Sequence, residues 1–169
     1  IYFDESKAIW QQVFKGPMGG RPVDRIVVTH LHPDHIGCAG WLAQEFDAPL
    51  WMTRGEYLLC RVLVADTGRP TPIAGDRFYR GAGFLPDDMT HYHEMFGMFG
   101  KYVSHIPESY HRLQAGDCLQ VGSNQWQVLI GRGHSPEHAC LFCAELNLLI
   151  SGDQLLPTIS SNVSVYPTE

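Results

Sequence analysis

Thr29-His30-Leu31-His32-Pro33-Asp34-His35 is the stretch that decides how this chain is read. It sets three imidazoles and a carboxylate within six residues, directly after Asp24-Arg25-Ile26-Val27-Val28, whose β-branched core predicts a buried strand. The loop at the C-terminal end of such a strand is where α/β proteins assemble their sites. In extended backbone His30 and His32 project to one side and Leu31 to the other, so both imidazoles reach one ion. The turn at Pro33 then re-aims Asp34 and His35 toward a neighbouring position. Neutral imidazole nitrogen and carboxylate oxygen are ligands for zinc, and iron or manganese also accept them. The alternative is a polar loop whose histidines only cap the following helix. Three histidines with an interposed Asp weigh against it.

Outward from this loop, residues 36–46 carry Ile36, Ala39, Leu42, Ala43 and Phe46 at helical spacing, and 49–52 reads as a short strand. Upstream, residues 4–14 suit a helix that ends at Gly16-Pro17 and the loop to Pro22. The strand, loop, helix, strand order predicts an α/β layered architecture. Residues 54–66 present Tyr57, Leu58, Val62 and Ala65 along one helical face. With two further segments, 73–82 and 87–103, they form a helical insertion over about 54–111. From Asp117 the pattern changes to short β runs, 118–121, 125–130, 139–144 and 148–151, divided by Gly, Ser and Asn turns.

Two later segments complete the constellation: Gly133-His134-Ser135-Pro136-Glu137-His138 and Ser151-Gly152-Asp153-Gln154. Together with the first they resemble, in order, the HxHxDH, GH[ST]P and bridging-Asp motifs of the metallo-β-lactamase superfamily. The resemblance covers nearly all of the chain outside the insertion. It implies an αβ/βα four-layer sandwich, here one domain over residues 1–169, with paired metals at one edge of the sheets. It also implies a ligand set: His30, His32 and His134 on the first metal, Asp34 and His35 on the second, and Asp153 bridging. The family's last ligand, a histidine near the C-terminus, has no counterpart after His138. It is expected beyond Glu169, with the closing helix and strand, and an opening β-hairpin is expected before Ile1. His138 is read as a support or core residue rather than a ligand, because the bend at Ser135-Pro136 sits between it and His134.

The remaining sequence bounds the partners. The chain has 169 residues, 44% of them apolar, which suffices for one core. Twelve Lys and Arg against eighteen Asp and Glu give a net charge of −6, with no basic run interleaved with aromatics. A small-molecule substrate is expected, and neither nucleic acid nor membrane. Five cysteines in apolar runs predict reduced, buried thiols in a cytoplasm, with the Cys140/Cys143 pair on a buried strand. Phe78, Tyr79, Phe84, Tyr92, Met95, Phe96, Phe99 and their neighbours either pack the insertion's own core or line an apolar pocket, and the resemblance favours a lid over the metals. His91, His93, His105 and His111 lack ligand-like clustering. In residues 157–164 the hydroxyls and the Asn162 amide either meet substrate or satisfy loop backbone.

The leading expectation is a binuclear hydrolase of a thioester, lactone or related ester, with two divalent ions, zinc first and iron or manganese as alternatives, and with Asp34 as a proton carrier. Asp34-His35 and Asp153 resemble the glyoxalase II and lactonase side of the superfamily. The commonest class B β-lactamases carry Cys where Asp153 stands. An RNA-processing hydrolase, an iron-dependent oxidoreductase of the same fold, and a non-catalytic protein with structural metals are the competing readings.

Overall fold

The computed structural model describes residues 1–168. Its first sheet is built by the segments flanking the histidine loop. Strand β1 (Ile26–Val27) lies parallel to β2 (Leu50–Thr53), which lies parallel to β3 (His111–Leu113). Ile26 is opposite Leu50, and Trp51 is opposite His111. The period of two sorts the side chains onto two faces. Ile26, Val28, Leu50 and Met52 join one buried cluster with Leu42, Ala43, Tyr57 and Cys60 of the helices, whereas Val27 and Trp51 pack into the other cluster with the second sheet.

That second sheet is antiparallel, in the order β4 (Cys118–Val121), β5 (Asn124–Gly131), β6 (His138–Cys143), β7 (Leu148–Ile150). Leu119, Val128 and Ala139 face the first sheet across the inner core. The layers among the described residues are therefore helices, parallel sheet and antiparallel sheet, the mixed α/β architecture expected. On the far side of the antiparallel sheet Leu129 is exposed, and no helix among the described residues covers that face.

The helices follow their sequence signals with two departures. Helix α1 (Asp4–Lys15) carries Asp4 and Glu5 in its first turn and Lys15 in its last, complementing the helix dipole. The helix expected over 36–46 is split into α2 (Pro33–Ile36) and α3 (Ala39–Phe46). Ser104 causes the break: its backbone N–H donates to the Gly37 carbonyl at 2.7 Å, and its hydroxyl accepts the Trp41 N–H at 3.1 Å. The 41-to-37 bond of a continuous helix is thus replaced by two bonds to a distant segment. The α3 helix ends at Asp47, one of the few residue types that tolerates left-handed backbone (φ 49°).

Helix α4 (Arg54–Ala65) faces the core differently from expectation. Glu56, Tyr57 and Cys60 are buried, whereas Leu58 and Val62 are about half exposed. The insertion continues with α5 (Ile73–Gly81) and α6 (Pro86–Met95), and a single 3-10 turn at Phe99–Lys101 ends the segment expected to be helical to 103. Strand β3 carried no sequence signal strong enough to predict it. Four cysteines are buried as expected, but Cys118 is exposed because β4 is an edge strand with alternate residues facing outward. All five are free. No helix among the described residues is long and apolar enough to cross a membrane.

Candidate metal centre

The segment leaving β1 brings His30 to the seam between the two sheets, where it is fully buried. His30 Nε2 stands 3.0 Å from His32 Nδ1 and 3.2 Å from His134 Nε2. Nitrogens bound tetrahedrally to one zinc at about 2.0–2.1 Å lie about 3.3 Å from one another; both His30 distances are near that edge, and the ligand atoms of all three residues lie within 4.8 Å of one another. His134, on the loop between β5 and β6, has its Nδ1 committed to the Asn162 carbonyl at 2.9 Å. That bond fixes the tautomer and leaves the Nε2 lone pair facing the other two imidazoles.

A second group adjoins the first. Pro33 opens α2 at its first position, and the turn carries His35 inward. His35 Nε2 is 3.3 Å from Asp153 Oδ1 and 3.6 Å from Asp34 Oδ2, while the other Asp153 oxygen, Oδ2, is 3.6 Å from His134 Nε2. The Asp153 carboxylate therefore spans the two groups, one oxygen toward each. Five of the six residues singled out in the sequence, His30, His32, His35, His134 and Asp153, fall into two overlapping clusters of ligand-bearing atoms that share His30. Asp34 stands at the rim, with its side chain 64% exposed and its Oδ2 toward His35.

The electrostatics suit a cation. Burial, reinforced by the neighbouring imidazoles, lowers the His30 pKa to about 2, and burial lowers that of His32 as well. Both rings are thus neutral at physiological pH, with lone pairs available. A cluster of four imidazoles and a carboxylate around so small a space fits divalent metal better than any arrangement of protons.

His138 is fully buried and supports the centre. Its Nε2 accepts the Asp153 backbone N–H at 3.2 Å, its ring stacks on His30 at 4.6 Å, and Nδ1 lies 3.6 Å from Cys140 Sγ. Burial lowers its pKa to about 4, so the ring is a neutral acceptor for that N–H. Gly152, at φ +47°, lets the chain turn against this ring, since a Cβ there would lie 2.6 Å from His138 Nε2. Ser161 donates to the Asp153 carbonyl at 2.6 Å and Asn162 holds His134, so both satisfy the site's backbone and ring groups.

Two glutamates that the sequence reading passed over lock the ligand loops together. The fully buried Glu56 accepts the Leu31 N–H at 2.9 Å on one oxygen, and the Ser135 hydroxyl at 2.6 Å and Glu137 N–H at 2.8 Å on the other. Burial raises its pKa while these three bonds pull it down. Glu137 reciprocates: its carboxylate accepts the Gly55 N–H at 2.7 Å, satisfying a donor in the first turn of α4, and its carbonyl accepts the Thr53 hydroxyl. The available signal was only the spacing, Glu56 standing one helical turn before Cys60.

Above His32 and His134 opens a chamber of about 880 Å³ walled by α4, α5 and α6 and by residues 164–168. The aromatic residues of the insertion do both things expected of them. Tyr79 packs on Tyr92 and Phe84, with centroids 4.5 and 4.8 Å apart, and the same rings line the chamber.

The family model described as the metallo-beta-lactamase superfamily matches residues 13–167. The chain belongs to this superfamily. A beta-lactamase domain protein from Burkholderia ambifaria of known structure is 37% identical, with a TM-score of 0.85 over 100% of this chain and 47% of its own. An uncharacterized protein of Aquifex aeolicus is 30% identical over 77% of this chain and 48% of its own length. The probable metallo-hydrolase YqgX of Bacillus subtilis is 25% identical over the same shares. The chain thus spans about half the length of these superfamily relatives. Superfamily members bind divalent metals and are usually hydrolytic, which agrees with the centre described above.

Proposed function

We propose that this superfamily member carries the centre of a binuclear metal-dependent hydrolase that cleaves a thioester, lactone or related ester of a small molecule. The observation that carries the reading is the Asp153 carboxylate, one oxygen toward each of two histidine clusters at the mouth of an apolar chamber. His30, His32 and His134 would hold one divalent ion, Asp34 and His35 the other, and Asp153 would span both. Zinc is the proposed metal, given the nitrogen-rich donor set. Two bound cations supply Lewis acidity, bringing a shared water's pKa toward neutrality and polarising a carbonyl oxygen.

The chain's own residues supply the rest. Asp34, exposed at the rim, would take a proton from the attacking water and return it to the leaving group. An acyl group bound against the apolar wall of the chamber would displace water there, which strengthens the charge interactions at the reacting carbonyl. A net charge of −6 supports a small molecule rather than nucleic acid as substrate, and five free thiols support a cytoplasmic location.

The test is elemental analysis of the purified full-length protein together with a panel of thioesters, lactones, phosphodiesters and β-lactams. His32→Ala is expected to lose metal and turnover together, and Asp34→Asn to lose turnover about 100-fold or more while retaining most substrate binding. Undiminished activity in metal-free His32→Ala protein would end the proposal. Iron accompanied by oxygen consumption would move the protein to the oxidoreductase reading.

A further inference from the structure

We infer that the chamber over the metal centre is an acyl site selective for neutral, apolar acyl chains and closed to anionic ones; the inference rests on the hydrolase reading and narrows its substrate. The volume of about 880 Å³ falls in the range of roughly 300–1,000 Å³ of sites that enclose a small molecule. Leu59, Val62 and Leu63 of α4 form one wall, and Tyr79, Tyr92 and Phe96 of the α5–α6 region form another. His32 and His134 border the chamber, so an acyl chain lying in it has its carbonyl beside the metal ligands and its leaving group outside.

The charges bordering this space have one sign. Asp66 and Asp88 line it, and no Lys or Arg does among the described residues. Asp88 accepts the Leu85 N–H and Asp66 pairs with the exposed Arg69, so both carboxylates are held in place. Besides the metal-facing histidines, the remaining titratable groups of the lining are His91 and the phenols of Tyr79, Tyr92 and Tyr166. A carboxylate or phosphate on the far end of the acyl chain would lose its water and meet Asp88, and Asp66 whose charge Arg69 already shares, with no Lys or Arg of the lining among the described residues to pair with it. A methylene chain meets only gain, about fourfold per buried CH₂. In the reaction, water's oxygen bonds to the acyl carbon as the carbon–sulfur or carbon–oxygen bond breaks. The leaving thiol or alcohol departs with one of water's protons, and the acyl group leaves as a carboxylate with the other proton released to solvent.

The experiment uses N-acetylcysteamine thioesters of acetate, hexanoate, octanoate and suberate with the natural full-length, zinc-loaded protein. Expected is a kcat/KM that climbs roughly three- to fourfold per methylene to octanoyl. The suberyl ester, of equal length but with a terminal carboxylate, is expected to fall about tenfold or more below octanoyl. In parallel, S-octyl-N-acetylcysteamine, a thioether that cannot be hydrolysed, and its ω-carboxylated analogue are titrated calorimetrically into metal-stripped protein, with the same preference expected. Val62→Lys, at a half-exposed position where a lysine is tolerated, should narrow the octanoyl-to-suberyl ratio by about tenfold. Hydrolysis insensitive to chain length and to the terminal carboxylate would overturn the acyl site and leave the hydrolase standing. Thioether binding with the expected preference, but no thioester cleavage, would support the acyl site and overturn the thioester reaction.

Discussion

Glu56 shows how much a single side chain does in this centre without touching a metal ligand. Its carboxylate gathers donors from both ligand loops, Leu31 between His30 and His32, and Ser135 beside His134. It therefore sets the spacing of imidazoles that arrive from different sheets. Glu56→Ala leaves three buried donors unpaired and should cost on the order of 3 kcal/mol, read as a lower Tm. Glu56→Gln keeps the volume but turns an amide NH₂ toward some of those donors, so metal affinity, measured by chelator competition, should fall about 10–100-fold in a protein that still folds. Unchanged metal affinity in the Gln variant would show that the loops hold their spacing without it. The ligands themselves were legible in the sequence because metal chemistry restricts residue type and spacing, as at His30-x-His32-x-Asp34-His35. Glu56 was not, because a glutamate in a helix ordinarily points to solvent, and only the fold reveals that its face is buried.

At the scale of elements, the connection from β7 to Asp153 is the most constrained part of the centre. Gly152 turns with positive φ directly against the His138 ring, and His138 in turn accepts the Asp153 N–H. Gly152→Ala adds a Cβ within 2.6 Å of that ring and forces an alanine into left-handed backbone. The expected cost is about 1–3 kcal/mol, accompanied by weaker binding of one metal equivalent, since Asp153 spans both clusters. Two tightly bound metals in Gly152→Ala protein would count against the spanning role. The four β runs after Asp117 were readable because each is a short, largely apolar run set off by Gly, Ser or Asn turn residues. Strand β3 was not, since His111-Arg112-Leu113 is mostly polar, and its place is fixed by pairing with Trp51, Met52 and Thr53 of β2. Nor did the local pattern contain the split between α2 and α3, because Ser104, which inserts there, lies more than sixty residues away.

Across the whole molecule, the imidazole cluster links stability to pH and to metal. His30 and His138 titrate at about 2 and about 4 in the folded chain, against 6.5 when unperturbed. Below pH 6.5 the unfolded state therefore binds more protons, and metal-free protein should lose stability as pH falls through 6.5 toward those lower values. Calorimetric scans of stripped protein between about pH 8 and 5 should show Tm falling on the acid side, and restoring zinc at neutral pH should raise it. A Tm flat across that range would contradict burial of these rings in the neutral form. Neither hydrophobic core contains a residue of α5 or α6, so these helices wall the chamber without underpinning the sheets that carry the ligands. Mutations that reshape the wall leave the chemistry's foundations intact, and descendants of such a gene can explore new diets while inheriting the same reactive machinery.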